Sequence, residues 1–170
     1  MLINLDAKML EWVCAVYLSK DKVGYEEIRA GVDLHSINQA RFRLPTRVVA
    51  KNFLFRYIYA DPANAASAFS YDPKFTHVSS SRVFWQGVCD ETANKYGGHA
   101  RWRSSLIQEV SRTGELNIVT GRCYTIPRKN NNELDIAKIF NYPVQGLGHD
   151  LMAIVRVSLW QRMKQAGLTS

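Results

Sequence analysis

Arg47, Lys51, Phe55 and Tyr59 recur at intervals of four residues in the stretch that opens on Thr46 and runs to Ala60. That interval sets all four on one face of an α-helix. Two cations followed by two aromatics along such a face are the residue types that grip a triphosphate and stack on a base. The plainer reading of the same pattern is a solvated basic end leading into a core stripe.

Other segments carry chemistry as well. Met1 to Leu5 reads as a short apolar strand that ends on Asp6, and a helical pattern follows with Leu10, Val13, Cys14 and Tyr17 on one side. Asp6 therefore falls at a strand-to-helix junction, where a carboxylate faces a cleft or simply caps the helix. Asp33 stands where it caps the helix that bears His35. Asn141 to Lys164 begins with a turn at Pro143 and continues as a long amphipathic helix.

These positions need elements to hold them. The pattern predicts a strand over 1–6, a helix over 8–19, a short helix over 24–30, and another over 33–43 that Pro45 stops. The basic-aromatic helix spans 46–60 and ends at Asp61-Pro62. Residues 61–81, rich in Ala, Ser, Asp and Pro, read as loop with one short helix. Helices follow over 82–95 and 100–113, separated by Gly97-Gly98. Alternation around Gly121 predicts a hairpin over 116–125. A polar turn covers 129–133, then a short helix over 134–140 and a long one over 144–165. His99, Arg101 and Arg103 flank Trp102. They read either as a cationic track for a nucleic-acid backbone or as a core Trp with surface cations.

The chain of 170 residues is long enough for one domain with a real core. Lys and Arg number 22 against 15 acids, a net charge of +7 that suits a polyanionic partner such as DNA. No membrane association is expected. The longest apolar stretch, Trp12 to Leu18, is too short to span a bilayer, and Glu11 abuts it. The widely spaced Cys14, Cys89 and Cys123 fit free buried thiols in a reducing, cytoplasmic setting better than disulfides or zinc.

Four of these segments, in order, resemble family A DNA polymerases, closest to the phage type. The family's motif A, roughly D-x-S-x-x-E-L-R, is matched by Asp6-Ala7-Lys8-Met9-Leu10-Glu11-Trp12-Val13. Its D-I-H-S/T element is matched by Asp33-Leu34-His35-Ser36. The run L-P-T-R-x-x-A-K stands intact from Leu44 to Lys51 and continues as motif B through Phe55 and Tyr59. The N-x-P-V-Q-G element spans Asn141 to Gly146.

The resemblance implies an α+β fold that is mainly helical: fingers helices with a partial palm. Residues 1–20 would be palm, 21–114 fingers, and 115–170 the palm return with its long helix. It implies template-directed nucleotidyl transfer from a dNTP to a DNA primer. Two Mg2+ ions would clamp the attacking and leaving oxygens, held by Asp6 and the backbone carbonyl of Ala7. Arg47 and His35 would hold the outer phosphates. Lys51 would contact phosphates nearer the reacting centre and protonate the leaving pyrophosphate. Phe55 would lie against the sugar and base, Tyr59 near the templating base, and Glu11 would crowd a ribose 2′-hydroxyl. Asn141 and Gln145 would hydrogen-bond the minor-groove edge of the primer-template. Arg56 would bind template phosphate or stay solvated.

The chain departs from the family pattern at Ala7, Val13, Arg56, Ala60 and Ala137. It also lacks the His-Asp-Glu run of motif C, the source of the second metal-binding carboxylate. His149-Asp150 belongs to the Gln145-Gly146 element instead. The chain alone is therefore expected to be inactive. It would be a split subunit whose partner chains supply motif C, thumb and exonuclease, or a remnant. In either case it would act in the cytoplasm, that of a host if the source is viral. The competing class is a non-catalytic DNA-binding module derived from a polymerase.

Overall fold

The structure, a computed structural model, describes residues 7–168. The strand expected over 1–6, and Asp6 with it, lies outside those residues. Among the described residues the architecture is mainly helical with one two-stranded sheet, as the resemblance implies. Helix α1 (Leu10–Ser19) is followed by α2 (Lys22–Arg29), α3 (Leu34–Arg41) and α4 (Arg47–Tyr59). Next come α5 (Ala65–Tyr71), α6 (Pro73–Thr76), α7 (Arg82–Lys95) and α8 (Gly97–Thr113). Strands β1 (Glu115–Asn117) and β2 (Cys123–Thr125) pair antiparallel, with Leu116 opposite Tyr124, before α9 (Ile136–Gln165).

Helix α4 sits between two cores, and this leaves its cationic face open. Val49, Ala50, Phe53 and Tyr57 enter one core with Phe69, Phe75 and Trp85. Leu54 and Ile58 enter a second with Trp12, Leu34, Tyr96, Val144 and Leu147. Arg47 and Lys51 remain exposed, and Phe55 and Tyr59 are half-buried. A third core joins α8, the hairpin and α9 through Val110, Leu116, Ile126, Ile139 and Phe140.

Four expectations from the pattern are corrected. The apolar side of α1 is not the Leu10, Val13, Cys14, Tyr17 stripe: Trp12, Cys14, Ala15 and Val16 are buried and Tyr17 is exposed. The helix touches α2, α4, α8 and α9, and a helix covered on several sides shows no single stripe. Residues 61–81 hold two short helices, because Phe69 and Phe75 are drawn into the aromatic core around Trp85. Helix α8 starts at Gly97, so both glycines lie in its first turn. Pro143 does not break the C-terminal helix; it lies inside α9. An interior proline costs roughly 3 kcal/mol. Here burial of Ile139, Phe140, Pro143, Val144 and Leu147 offsets that cost.

Asp21 joins the start of the chain to its middle. It is 1% exposed. Its carboxylate accepts the Gly24 N–H at 2.8 Å, which caps α2, and the His99 N–H at 3.0 Å, near the start of α8. The His99 ring is fully buried among Trp12, Tyr57 and Trp102. Burial first, and the Arg103 charge second, push its pKa down to about 3 from the ordinary 6.5. Between those values the unfolded chain binds a proton that the folded chain refuses. Stability from this group is thus complete above pH 6.5 and falls as the pH drops toward 3. The slope is at most about 1.4 kcal/mol per pH unit. Urea unfolding across that window should show a shallower pH slope in His99→Phe than in the parent chain. Equal slopes would refute the assignment.

Candidate nucleotide-binding site

The site forms where α1, α3, α4 and α9 meet. Thr46 caps α4 by accepting the Val49 N–H at 3.2 Å, which fixes where the helix begins and so where Arg47 points. One turn further on, the Lys51 ammonium stands 5.9 Å from the centre of the Phe55 ring. His35, on the first turn of α3, lies 6.0 Å from the same ring. The His35 side chain is buried, and its Nδ1 finds no hydrogen-bond partner among the described residues. Burial lowers its pKa most, and the charges of Arg47, Lys51 and Lys8 lower it further against the opposing pull of Asp33. The imidazole therefore favours its neutral form, beside three cations.

At the other end of the α4 face three side chains close on one another. The Gln145 amide donates to Glu11 Oε1 at 2.7 Å and to the Tyr59 hydroxyl at 2.9 Å. The Tyr59 hydroxyl donates to the same Glu11 oxygen at 3.2 Å. Burial, and after it the Glu11 charge, push the Tyr59 pKa upward, so the phenol keeps its proton. Residues from α1, α4 and α9 are fixed in this way to one point beside Phe55.

The structure thus brings Glu11, His35, Arg47, Lys51, Phe55, Tyr59 and Gln145 to one region. Asn141 lies one helical turn before Gln145 and is half-buried. Arg56 stands apart: its guanidinium forms an ion pair with Asp72. The pair tethers α4 to the α5–α6 junction, and Arg56 stays exposed. It borders a groove of about 270 Å3 with Tyr59, Asn64 and Ala68. Around Trp102, neither a cationic track nor a full set of surface cations forms. His99 and Arg103 are buried, and the Arg103 guanidinium stacks on the Tyr57 and Phe140 rings 4.9 and 4.6 Å away. Only Arg101 of the three is exposed.

Two residues named in the sequence have a further role at the site. Lys8 adds to the positive field at His35, and its place two residues after Asp6 was the available signal. Asp33 does more than cap α3, because it also binds Arg47 through two hydrogen bonds of 2.8 and 3.0 Å. Nothing in the spacing of the two residues points to that pair.

The fit to magnesium is weak on the described side chains alone. Among the described residues no group of three or more His, Cys, Asp or Glu side chains is placed to hold a metal ion. The Glu11 carboxylate is engaged by Tyr59 and Gln145. Ala7 is half-buried at the edge of the described chain, and Asp6 lies beyond it. Among the described residues no helix is long and apolar enough to cross a membrane.

No family model matches the sequence. The chain is 23% identical over 175 residues to DNA polymerase I of Mycobacterium leprae (strain TN), a match that covers 99% of this chain and 19% of that protein. Among solved structures, the POL domain of Pol1 from M. smegmatis, in complex with DNA primer-template and dNTP, superposes with a TM-score of 0.76 at 19% identity. That match covers 95% of this chain and 30% of that one. The chain therefore spans less than a third of the relatives it matches. Over nearly its whole length the sequence is similar to part of DNA polymerase I, and its fold is that of a fragment of a polymerase domain.

Proposed function

We propose that this chain is the nucleotide- and primer-template-binding portion of a template-directed DNA polymerase, which transfers nucleotidyl groups from dNTPs to a DNA primer when further polypeptide completes the site. One observation carries the reading. Helix α4 presents two exposed cations and a half-buried aromatic in line, and ends at Tyr59, which Glu11 and Gln145 hold from opposite ends of the sequence. A helix that served only as core filler would need no such acid–phenol–amide cluster beside its cationic end.

In this reading His35, Arg47 and Lys51 take the triphosphate, with Lys51 nearest the leaving pyrophosphate. Phe55 lies against the sugar and base, and Tyr59 adjoins the templating base. Glu11, held by two donors, crowds a 2′-hydroxyl. Gln145 keeps its amide oxygen for the primer-template edge, and Asn141 sits a turn away. Magnesium would arrive on the triphosphate and meet Asp6 and the Ala7 carbonyl, since magnesium commonly binds through one or two carboxylates plus substrate phosphates. Residues 1–20 and 115–170 are the palm portions and 21–114 the fingers. The intact Leu44 to Lys51 run supports a phage-type origin, and a split enzyme acting in the cytoplasm is consistent with it.

The sequence has no His-Asp-Glu run to supply a second metal carboxylate. A single carboxylate holds a two-ion clamp poorly. Primer extension by the 170-residue chain with magnesium and all four dNTPs should therefore stay at background. Robust incorporation would refute the claim that further polypeptide is required.

A further inference from the structure

We propose that Asp33 is a positioning residue for phosphate binding: it holds the Arg47 guanidinium by one edge so that the opposite edge stays presented to the ligand. The inference rests on reading α4 as a phosphate-binding helix and goes beyond it, because it assigns an acid a favourable role at an anion site.

The geometry is specific. Arg47 Nε donates to Asp33 Oδ2 at 2.8 Å and Nη2 donates to Oδ1 at 3.0 Å. A guanidinium has five N–H donors in a rigid plane. This side-on pair uses two of them, and no other partner of Arg47 is found among the described residues. The remaining N–H groups, both on Nη1 and the second on Nη2, point away from the carboxylate. Two-point contact fixes the plane as well as the distance. An unpaired arginine on the solvent side of a helix would sample many rotamers and lose that freedom on binding.

The same carboxylate also fixes the neighbouring ligand group. Asp33 Oδ1 accepts the His35 N–H at 3.3 Å, and Oδ2 accepts the Ser36 hydroxyl at 2.7 Å. It therefore ties the first turn of α3, which bears His35, to the first turn of α4, which bears Arg47. Two candidate phosphate ligands on separate helices are set relative to each other through one side chain.

A positioning role and a blocking role predict opposite signs. Asp33 is a negative charge beside an anion site, so a carboxylate that merely competes with phosphate should weaken binding, and its removal should tighten it. A carboxylate that positions Arg47 should leave binding weaker when it is removed. The probe is inorganic tripolyphosphate, titrated calorimetrically into the parent chain, Asp33→Asn, Arg47→Ala and the double variant. Asn keeps the helix cap but offers one acceptor oxygen and no charge. Asp33→Ser is a second capping variant, and thermal unfolding checks that each is folded.

Asp33→Asn is expected to weaken binding by about two- to tenfold, the cost of immobilising one long side chain. In the Arg47→Ala background the same change should leave affinity unchanged or raise it. Unchanged or tighter binding in Asp33→Asn overturns the proposal, as does an equal loss in both backgrounds. If the parent chain binds tripolyphosphate and loses it in Lys51→Ala while Asp33→Asn binds more tightly, only this inference fails. If the parent chain does not bind the probe, the phosphate-binding reading of α4 fails with it.

Discussion

Gly98→Ala is expected to destabilise the chain by about 2–4 kcal/mol, the sum of an overpacking term and weakened buried hydrogen bonds. A Cβ on residue 98 would stand 2.7 Å from the Asp21 Cα, 2.8 Å from its Oδ2 and 3.1 Å from its Cβ. The obstacle includes main chain, so no side-chain rotation relieves it. Asp21 cannot retreat freely either, because it is 1% exposed and accepts the N–H groups of Gly24 and His99. Displacing it loosens the cap of α2 and the contact that seats α8 against the α1–α2 corner. Gly87, exposed within α7 with nothing within 4 Å of its added Cβ, is the control. Gly87→Ala should stabilise by up to about 1 kcal/mol through helix propensity. Urea unfolding of the two variants checks the contrast. Similar midpoints for both would show that the close approach at Gly98 does not constrain the fold.

The sequence made α4 legible because three local signals agree there: the four-residue interval, the Pro45 stop before it, and the Asp61-Pro62 stop after it. The hairpin was legible for a similar reason, since alternation around Gly121 is local. Signals failed where the deciding contact is distant. The buried face of α1 is set by helices α4, α8 and α9, which its own pattern does not record. Pro143 reads as a turn until the core that covers it is known. His99 and Arg103 look like surface cations because polarity says nothing about an aromatic box that encloses them. The Glu11–Tyr59–Gln145 cluster joins residues up to 134 positions apart. Only family resemblance suggested that they belong together. The pair of Asp33 and Arg47, 14 positions apart, had no signal beyond the two charges themselves.

Lys51→Ala is expected to weaken dNTP binding by about 10- to 100-fold, the usual worth of a charge-assisted hydrogen bond expressed as affinity. Lys51 is exposed one turn beyond Arg47, and its ammonium lies over the edge of the region bounded by Phe55 and His35. It packs into neither core, so its removal should leave stability within about 0.5 kcal/mol of the parent. The effect then reads on the ligand and not on the fold. If α4 grips a nucleotide triphosphate, Lys51 is the residue whose loss should show it. Calorimetric titration of dATP into the parent chain with magnesium, repeated with Lys51→Ala, is the decisive measurement. Saturable binding by the parent chain, and the loss given above in the variant, are expected. Equal affinities, or no binding by either, would contradict that grip and leave α4 as a core helix with a solvated basic end.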